Sequence, residues 1–292
     1  MRRLLAALTA ALLACAGLAV LGPAQAAPPP IITCGDLPTA VAHRGGDELY
    51  TENTLLAFQS SGATIWETDV RFDSVNVPVI LHDPTVDRTT PATGKIADLQ
   101  ASGTVRIPTD DGQQIPTLWE ILDAADKAGA RVLLELKVMP ASPVQWNALF
   151  NRIDITIGRS RVTLASFDTA VLDAVRDRDP TMATAWIDEW GDPGTAAILA
   201  QGQAYLKYAP AFTKARYAAW HAAGVELYAW TVDNPLDWPR LVNYPVDALI
   251  TDKPLALAAW LRLRCPAPTA TPTPPAPSTV PVTTEPPTNG AR

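Results

Sequence analysis

The chain has 292 residues, 48% of them apolar and 18% charged, enough for one large core or two small ones. Its net charge of −7 and isoelectric point near 5.0 argue against nucleic acid as a partner. They leave room for a small anionic substrate, because a pocket can be locally basic. In chain order, residues 1–26 have the pattern of a secretory signal. Arg2 and Arg3 open it, an apolar run from Leu4 to Leu21 follows, and Ala24-Gln25-Ala26 forms a small-residue cleavage site. A retained anchor, or a lipoprotein signal ending at Cys15, are the alternatives. Removing the signal leaves Cys34 and Cys265, which are expected to be joined in an oxidising compartment.

From residue 40 to residue 262, strand-like and helix-like runs alternate. The strands are expected at Ala40–His43, Thr64–Asp69, Arg131–Lys137, Arg161–Ser166, Ala183–Ile187, Ala204–Lys207, Val225–Thr231 and Asp247–Ile250. The first helix is expected from Asn53 or Thr54 to Ser61, with Asn53 as its N-cap. The others are expected at Thr117–Ala128, Pro143–Ile157, Thr169–Asp177, Thr195–Gln201, Thr213–Ala223, Pro235–Asn243 and Leu255–Arg262. This alternation predicts an α/β fold of the (β/α)8, or TIM-barrel, type. An open doubly wound sheet is the alternative; no dinucleotide-type glycine fingerprint follows the first strand to support it.

One run breaks the alternation. Val77–Leu81 begins only a few residues after the second strand, too soon for a parallel crossover. It is expected to be a hairpin arm turning near Ser74–Asn76 and bringing His82 back beside Glu67. Asp83–Pro116 then reads as a loop-rich, fairly polar insertion. Residues 266–292 are Pro/Thr-rich with almost no large apolar side chain, so they cannot bury enough surface to fold. They read as an extended tail offered to the cell envelope. The expected domain order is signal 1–26, barrel 27–265 and tail 266–292. The expected location is secreted, with no stable membrane anchor once the signal is cleaved.

The chemistry gathers at strand ends. Glu67 and Asp69 are two apart in IWETDVRF, so a strand points both carboxylates to one face. Two buried like charges call for a cation or a shared proton; two solvated acids on an edge strand are the bland alternative. Glu135 and Lys137 repeat the spacing. The carboxyl ends of the strands, where barrel enzymes carry their sites, also hold His43-Arg44-Gly45-Gly46, His82-Asp83 and Trp230-Thr231. Three acids without a Cys or His cluster suit one hard divalent cation, Ca2+ or Mg2+. Arg44 and Lys137 suit a phosphate, and two histidines can serve as acid and base. Together these fit metal-assisted cleavage of a phosphodiester. His221, within a helix, reads as structural, and Asp252 and Lys253 could simply cap the last helix.

The ordered set HRGG, ENTLLAF, ETDV, VPVILHDPTVDRTT, LELK, AWTVDN and ALITDKP resembles the glycerophosphodiester phosphodiesterases over about Ala42 to Pro254. The resemblance implies a (β/α)8 barrel with one divalent cation held by Glu67, Asp69 and Glu135. It implies His43 and His82 as the acid/base pair, and Arg44 and Lys137 holding the phosphate. Glu52 would be a supporting carboxylate near the metal or the histidines, and Trp230 would line the alcohol side. The substrate would be a small glycerophosphodiester. Thr51, Val75, Asp233 and Ala248 depart from the family pattern, and Asp233 bears on the geometry of its loop. A lipid-cleaving relative on the same barrel, and a non-catalytic envelope binding protein, are the competing readings.

Overall fold

The computed structural model describes residues 35, 37–104, 106–211 and 213–265. The expected signal, Cys34 and the tail lie outside the described residues. Cys265 is half of a disulfide.

In chain order the strands are β1 (Thr39–His43), β2 (Ile65–Phe72), β3 (Pro78–Ile80), β4 (Arg131–Leu136), β5 (Val162–Ser166), β6 (Ala183–Asp188), β7 (Ala204–Tyr208), β8 (Glu226–Trp230) and β9 (Ala248–Thr251). All but β3 are parallel. Their order is β1-β9-β8-β7-β6-β5-β4-β2, and β2 pairs back onto β1, so the sheet closes as a barrel. The helices are α1 (Leu55–Ser60), α2 (Leu118–Ala128), α3 (Pro143–Thr156), α4 (Thr169–Arg178), α5 (Thr195–Gln201), α6 (Lys214–Ala222), α7 (Trp238–Leu241) and α8 (Pro254–Arg264). The architecture is the TIM barrel expected from the alternation.

Strand periodicity divides the core into two layers. Ile65 on β2 joins Val41, Leu133 and Ala165 inside the barrel, whereas Trp66 and Val70 pack outward against Leu118 and Ile121 of α2. Trp66 stacks on Phe58 of α1 at 5.2 Å. Helix α2 starts where Thr117 and Glu120 form a reciprocal capping box, a motif whose loss typically costs about 1 kcal/mol.

Three expectations need correction. Asn53 does not cap α1. Thr54 does, its hydroxyl accepting from the Ala57 N–H, while Asn53 sits at φ 59° and turns its amide elsewhere. The helix expected over Pro235–Asn243 shrinks to Trp238–Leu241, because Asn234 Oδ1 accepts the Leu236 N–H in a local turn that competes with helix. The insertion after β3 is not merely polar loop. Val86, Ile96, Ala101, Ile107 and Ile115 are buried in an apolar cluster of their own with Val79 and Leu81.

The hairpin forms as expected. β3 runs antiparallel to β2, with Val70 opposite Ile80. Asp73 closes the turn by accepting from the N–H groups of Val75 and Val77, and Asn76 takes the left-handed conformation at φ 64°.

Candidate active site

Register brings the acids together. His43 lies opposite Glu67 across β1 and β2, and Asp69 lies opposite Glu135 across β2 and β4. Each of these positions points into the barrel mouth by the two-residue strand period. Glu67, Asp69 and Glu135 are all buried, and one carboxylate oxygen from each lies within 4.8 Å of the others.

Burial drives the Glu67 and Glu135 carboxyls up, and the neighbouring Asp69 charge pushes them further. Asp69 goes the other way: burial would raise it, but Lys137 and Arg44 outweigh that and hold it ionised. Lys137 Nζ is 2.7 Å from Glu135 and 3.2 Å from Asp69 Oδ1. The second contact is Coulombic rather than a formed hydrogen bond, and Asp69 Oδ1 keeps no hydrogen-bond partner. A buried acceptor so placed, among three converging carboxylates, fits an oxygen-coordinated divalent cation. These three residues could hold it.

The loop after β1 is shaped to reach this cluster. Arg44 adopts φ 51°, and its backbone N–H donates to Glu67 Oε2 at 3.0 Å. The Arg44 Nε lies 3.4 Å from Asp69. A side chain at Gly45 would drive its Cβ to 2.8 Å from the Ala57 Cβ, and the position has φ 88°, so glycine is required there.

Each histidine is held at Nδ1. Asp252 Oδ1 bonds His43 Nδ1 at 2.5 Å, and Asp83 Oδ1 bonds His82 Nδ1 at 2.7 Å. The two rings respond in opposite directions. Burial alone would lower His43, but the Asp252 hydrogen bond and the Glu67 charge lift it above its ordinary value. Burial lowers His82, and Lys137 and Arg44 keep it low against Asp69 and Asp83. Arg71 fixes the backbone at this point by donating twice to the His82 carbonyl.

His43, Arg44, Glu67, His82, Glu135 and Lys137 line one side of a pocket, with Asp69 buried against them. Trp230 lines the other side together with Phe167, Ile187, Leu206 and Ile250. Glu52 stands apart. Its carboxylate bonds Arg44 at 3.3–3.4 Å and takes a bidentate pair from Arg88 at 2.7 and 2.9 Å, so it supports the site through two arginines rather than at the metal cluster or the imidazoles. His221 lies on α6, 3.7 Å from Asp247, as a structural residue would.

Three contributors, Asn53, Asp252 and Arg88, escaped the sequence reading, and a fourth, Asp233, acts on its loop geometry as expected. Asn53 Nδ2 donates to Asp69 Oδ2 at 2.8 Å while its Oδ1 accepts from Thr68. Asp252 orients His43 instead of capping α8, whose N-cap is Lys253. Asp233 accepts from the Thr251 hydroxyl and the Asp252 N–H, so its single Oδ1 holds the loop that carries Asp252. Arg88 ties Asp83 to Glu52, with its Nε 2.6 Å from Asp83 Oδ2. All four sit inside the motifs quoted above; for Asn53, Asp252 and Arg88 that position was the only signal available.

The model of the glycerophosphoryl diester phosphodiesterase family matches residues 43–256. The glycerophosphodiester phosphodiesterase of Caldanaerobacter subterraneus is 28% identical over 239 residues, covering 76% of this chain and 97% of that one. The Mycobacterium tuberculosis protein named "Probable glycerophosphodiester phosphodiesterase 2" is 30% identical over 241 residues, covering 73% and 87%. Among solved structures, an Oleispira antarctica phosphodiesterase in complex with the product sn-glycerol-3-phosphate superposes with TM-score 0.71 at 22% identity, covering 77% of this chain and 97% of that one. Barrel, site and relatives together define a phosphoric diester hydrolase. The chain belongs to the glycerophosphoryl diester phosphodiesterase family, and its reaction is the hydrolysis of glycerophosphodiesters.

Proposed function

We propose that the enzyme is secreted and uses one divalent cation, Ca2+ or Mg2+, held by Glu67, Asp69 and Glu135, to split a small glycerophosphodiester into glycerol phosphate and an alcohol. The observation that carries this reading is the convergence of three buried carboxylates between two oriented imidazoles. The bound cation supplies charge neutralisation at the phosphate and acidifies the attacking oxygen. Arg44 and Lys137 hold the phosphate oxygens; a guanidinium and an ammonium beside the cluster suit an anion. His82, whose pKa burial lowers, takes the proton of the attacking oxygen at Nε2. His43, whose pKa the Asp252 hydrogen bond and the Glu67 charge raise against burial, gives a proton from Nε2 to the departing alcohol. Trp230 lines the alcohol side. The opposite directions of the two shifts, His43 up and His82 down, favour a proton donor and a proton acceptor side by side.

Secretion rests on the residue 1–26 pattern and on a disulfide at Cys265, for which Cys34 is the proposed partner. Among the described residues no helix is long and apolar enough to cross a membrane. Residues 266–292, rich in Pro and Thr, are the proposed contact with the cell envelope.

The deciding experiment is chelation. EDTA-treated enzyme should lose turnover of glycerophosphocholine and regain it when Ca2+ or Mg2+ is added back, the better ion naming the cofactor. Full turnover after exhaustive removal of divalent ions would overturn the proposal.

A further inference from the structure

The segment between β1 and α1 carries two groups on which the site depends. Asn53 sets its amide against Asp69, and Glu52 sets its carboxylate against Arg44. Asn53 is well fixed. It is buried, its N–H donates to the Arg44 carbonyl at 2.7 Å, and its side chain is bonded at both ends. Glu52 is less so. Its contacts to Arg44 are long, at 3.3–3.4 Å, whereas Arg88 takes the same carboxylate at 2.7 and 2.9 Å. Left to that competition alone, the carboxylate would follow the half-exposed Arg88 rather than Arg44.

The insertion supplies the missing constraint. Residues 107–115 form a small hairpin, closed by the Ile115 N–H on the Ile107 carbonyl and the Thr109 N–H on the Gln113 carbonyl. Ile107 and Ile115 root it in the insertion's apolar cluster. Its tip meets the β1–α1 segment at two points. Asp111 Oδ2 accepts the Thr51 N–H at 3.0 Å. Gln113 Oε1 accepts the Leu56 N–H at 3.1 Å, a first-turn donor of α1 that has no helical acceptor. The tip reaches the arginine too, because the Asp110 N–H donates to the carbonyl of Thr89, next to Arg88. Asp111 is itself oriented, with the Thr109 hydroxyl on Oδ1 at 2.6 Å and the Gln113 amide on Oδ2 at 2.7 Å.

We propose that Asp111 is a positioning residue for the reaction. It fixes the backbone just ahead of Glu52, so that the Glu52 carboxylate reaches Arg44 and Arg44 stays on the phosphate. The inference rests on the phosphodiesterase reading above and adds a residue to it. Asp111 does not line the reaction pocket, so it acts only through the segment it holds. Its chemistry there is hydrogen bonding, one oxygen for Thr51 and the other for Thr109. An amide can do the same, its oxygen toward the Thr51 N–H and its NH2 toward the Thr109 oxygen; a methyl group can do neither.

The test measures kcat and KM for glycerophosphocholine, and cation affinity by calorimetry, in the full-length, cation-loaded enzyme. Asp111→Ala should raise KM by about three- to tenfold while kcat changes by less than about twofold, the pattern of weakened phosphate binding. Cation affinity should stay as in the wild type. Asp111→Asn should bring KM back to within about twofold of wild type. In a Glu52→Ala background, Asp111→Ala should change KM no further, because the group it places is gone. Asp111 is exposed, so its truncation opens no cavity, and an unchanged thermal midpoint checks this. A wild-type KM in Asp111→Ala overturns the proposal. So does an Asn variant as impaired as the Ala variant, an undiminished effect in the Glu52→Ala background, or a parallel loss of cation affinity. Failure of the wild-type enzyme to hydrolyse glycerophosphocholine would instead strike the phosphodiesterase reading itself.

Discussion

The two halves of the barrel mouth are made by the same fold and do opposite work. Strands β1 to β4 carry acids, histidines and cations, packed so tightly that each charge is set by its neighbours. Strands β5 to β8 carry rings and aliphatic chains that hold no charge at the pocket wall. One half is organised around a reacting centre and tolerates no vacancy in its polar network. The other is organised around shape and polarisability, where replacements cost by degrees. The difference predicts a steep gradient of mutational effect across a single pocket.

The gradient should be steepest at the carboxylates. Glu67→Gln, Asp69→Asn or Glu135→Gln is expected to lower kcat/KM by roughly a thousandfold or more, with matched loss of cation binding by calorimetry. His43→Ala and His82→Ala are each expected to lose about 10^2- to 10^4-fold in kcat while keeping a native circular-dichroism spectrum. Full activity in either folded variant would remove the acid/base assignment.

Arg88 touches neither half directly, yet it joins Asp83 behind His82 to Glu52 behind Arg44. Its loss should cost about ten- to a hundredfold through misplacement of both. Arg88→Lys should behave like Arg88→Ala, because an ammonium cannot span two carboxylates with a planar fork.

The pH profile sharpens the contrast between the imidazoles. Activity should fall at acid pH as His82 takes a proton and at alkaline pH as His43 loses one. In Asp252→Asn the hydrogen bond that lifts His43 is weakened, so its pKa drops and the alkaline limb moves to lower pH. The acid limb should stay in place. An alkaline limb unmoved by that change would contradict His43 as the proton donor. The smallest expected effect lies on the aromatic side, where Trp230→Phe should lower kcat/KM by less than about tenfold.

Much of the charged half was legible in the sequence because strand geometry is local. Glu67 with Asp69, and Glu135 with Lys137, announce themselves by a spacing of two. The hairpin was legible because Val77–Leu81 follows its partner too closely for any crossover. What escaped depends on tertiary partners. Asn53 looks like a helix cap until the barrel sets Asp69 against it, and Asp252 looks like another until β9 lies beside β1 and His43. Trp230 was placed by its motif, but its ring partner Phe167 was not, because the two stand after different strands and meet only in the barrel. The apolar cluster in the insertion escaped because Val86, Ile96, Ile107 and Ile115 follow neither the helix nor the strand period.

That insertion has a consequence for how the enzyme fails. It carries its own small apolar cluster, separate from the barrel interior, and its Arg88 holds Glu52 against Arg44. A segment with so few buried contacts can open while the barrel stays closed. On warming, turnover should therefore fade before secondary structure melts, and an operational half-life would measure the appendage rather than the scaffold.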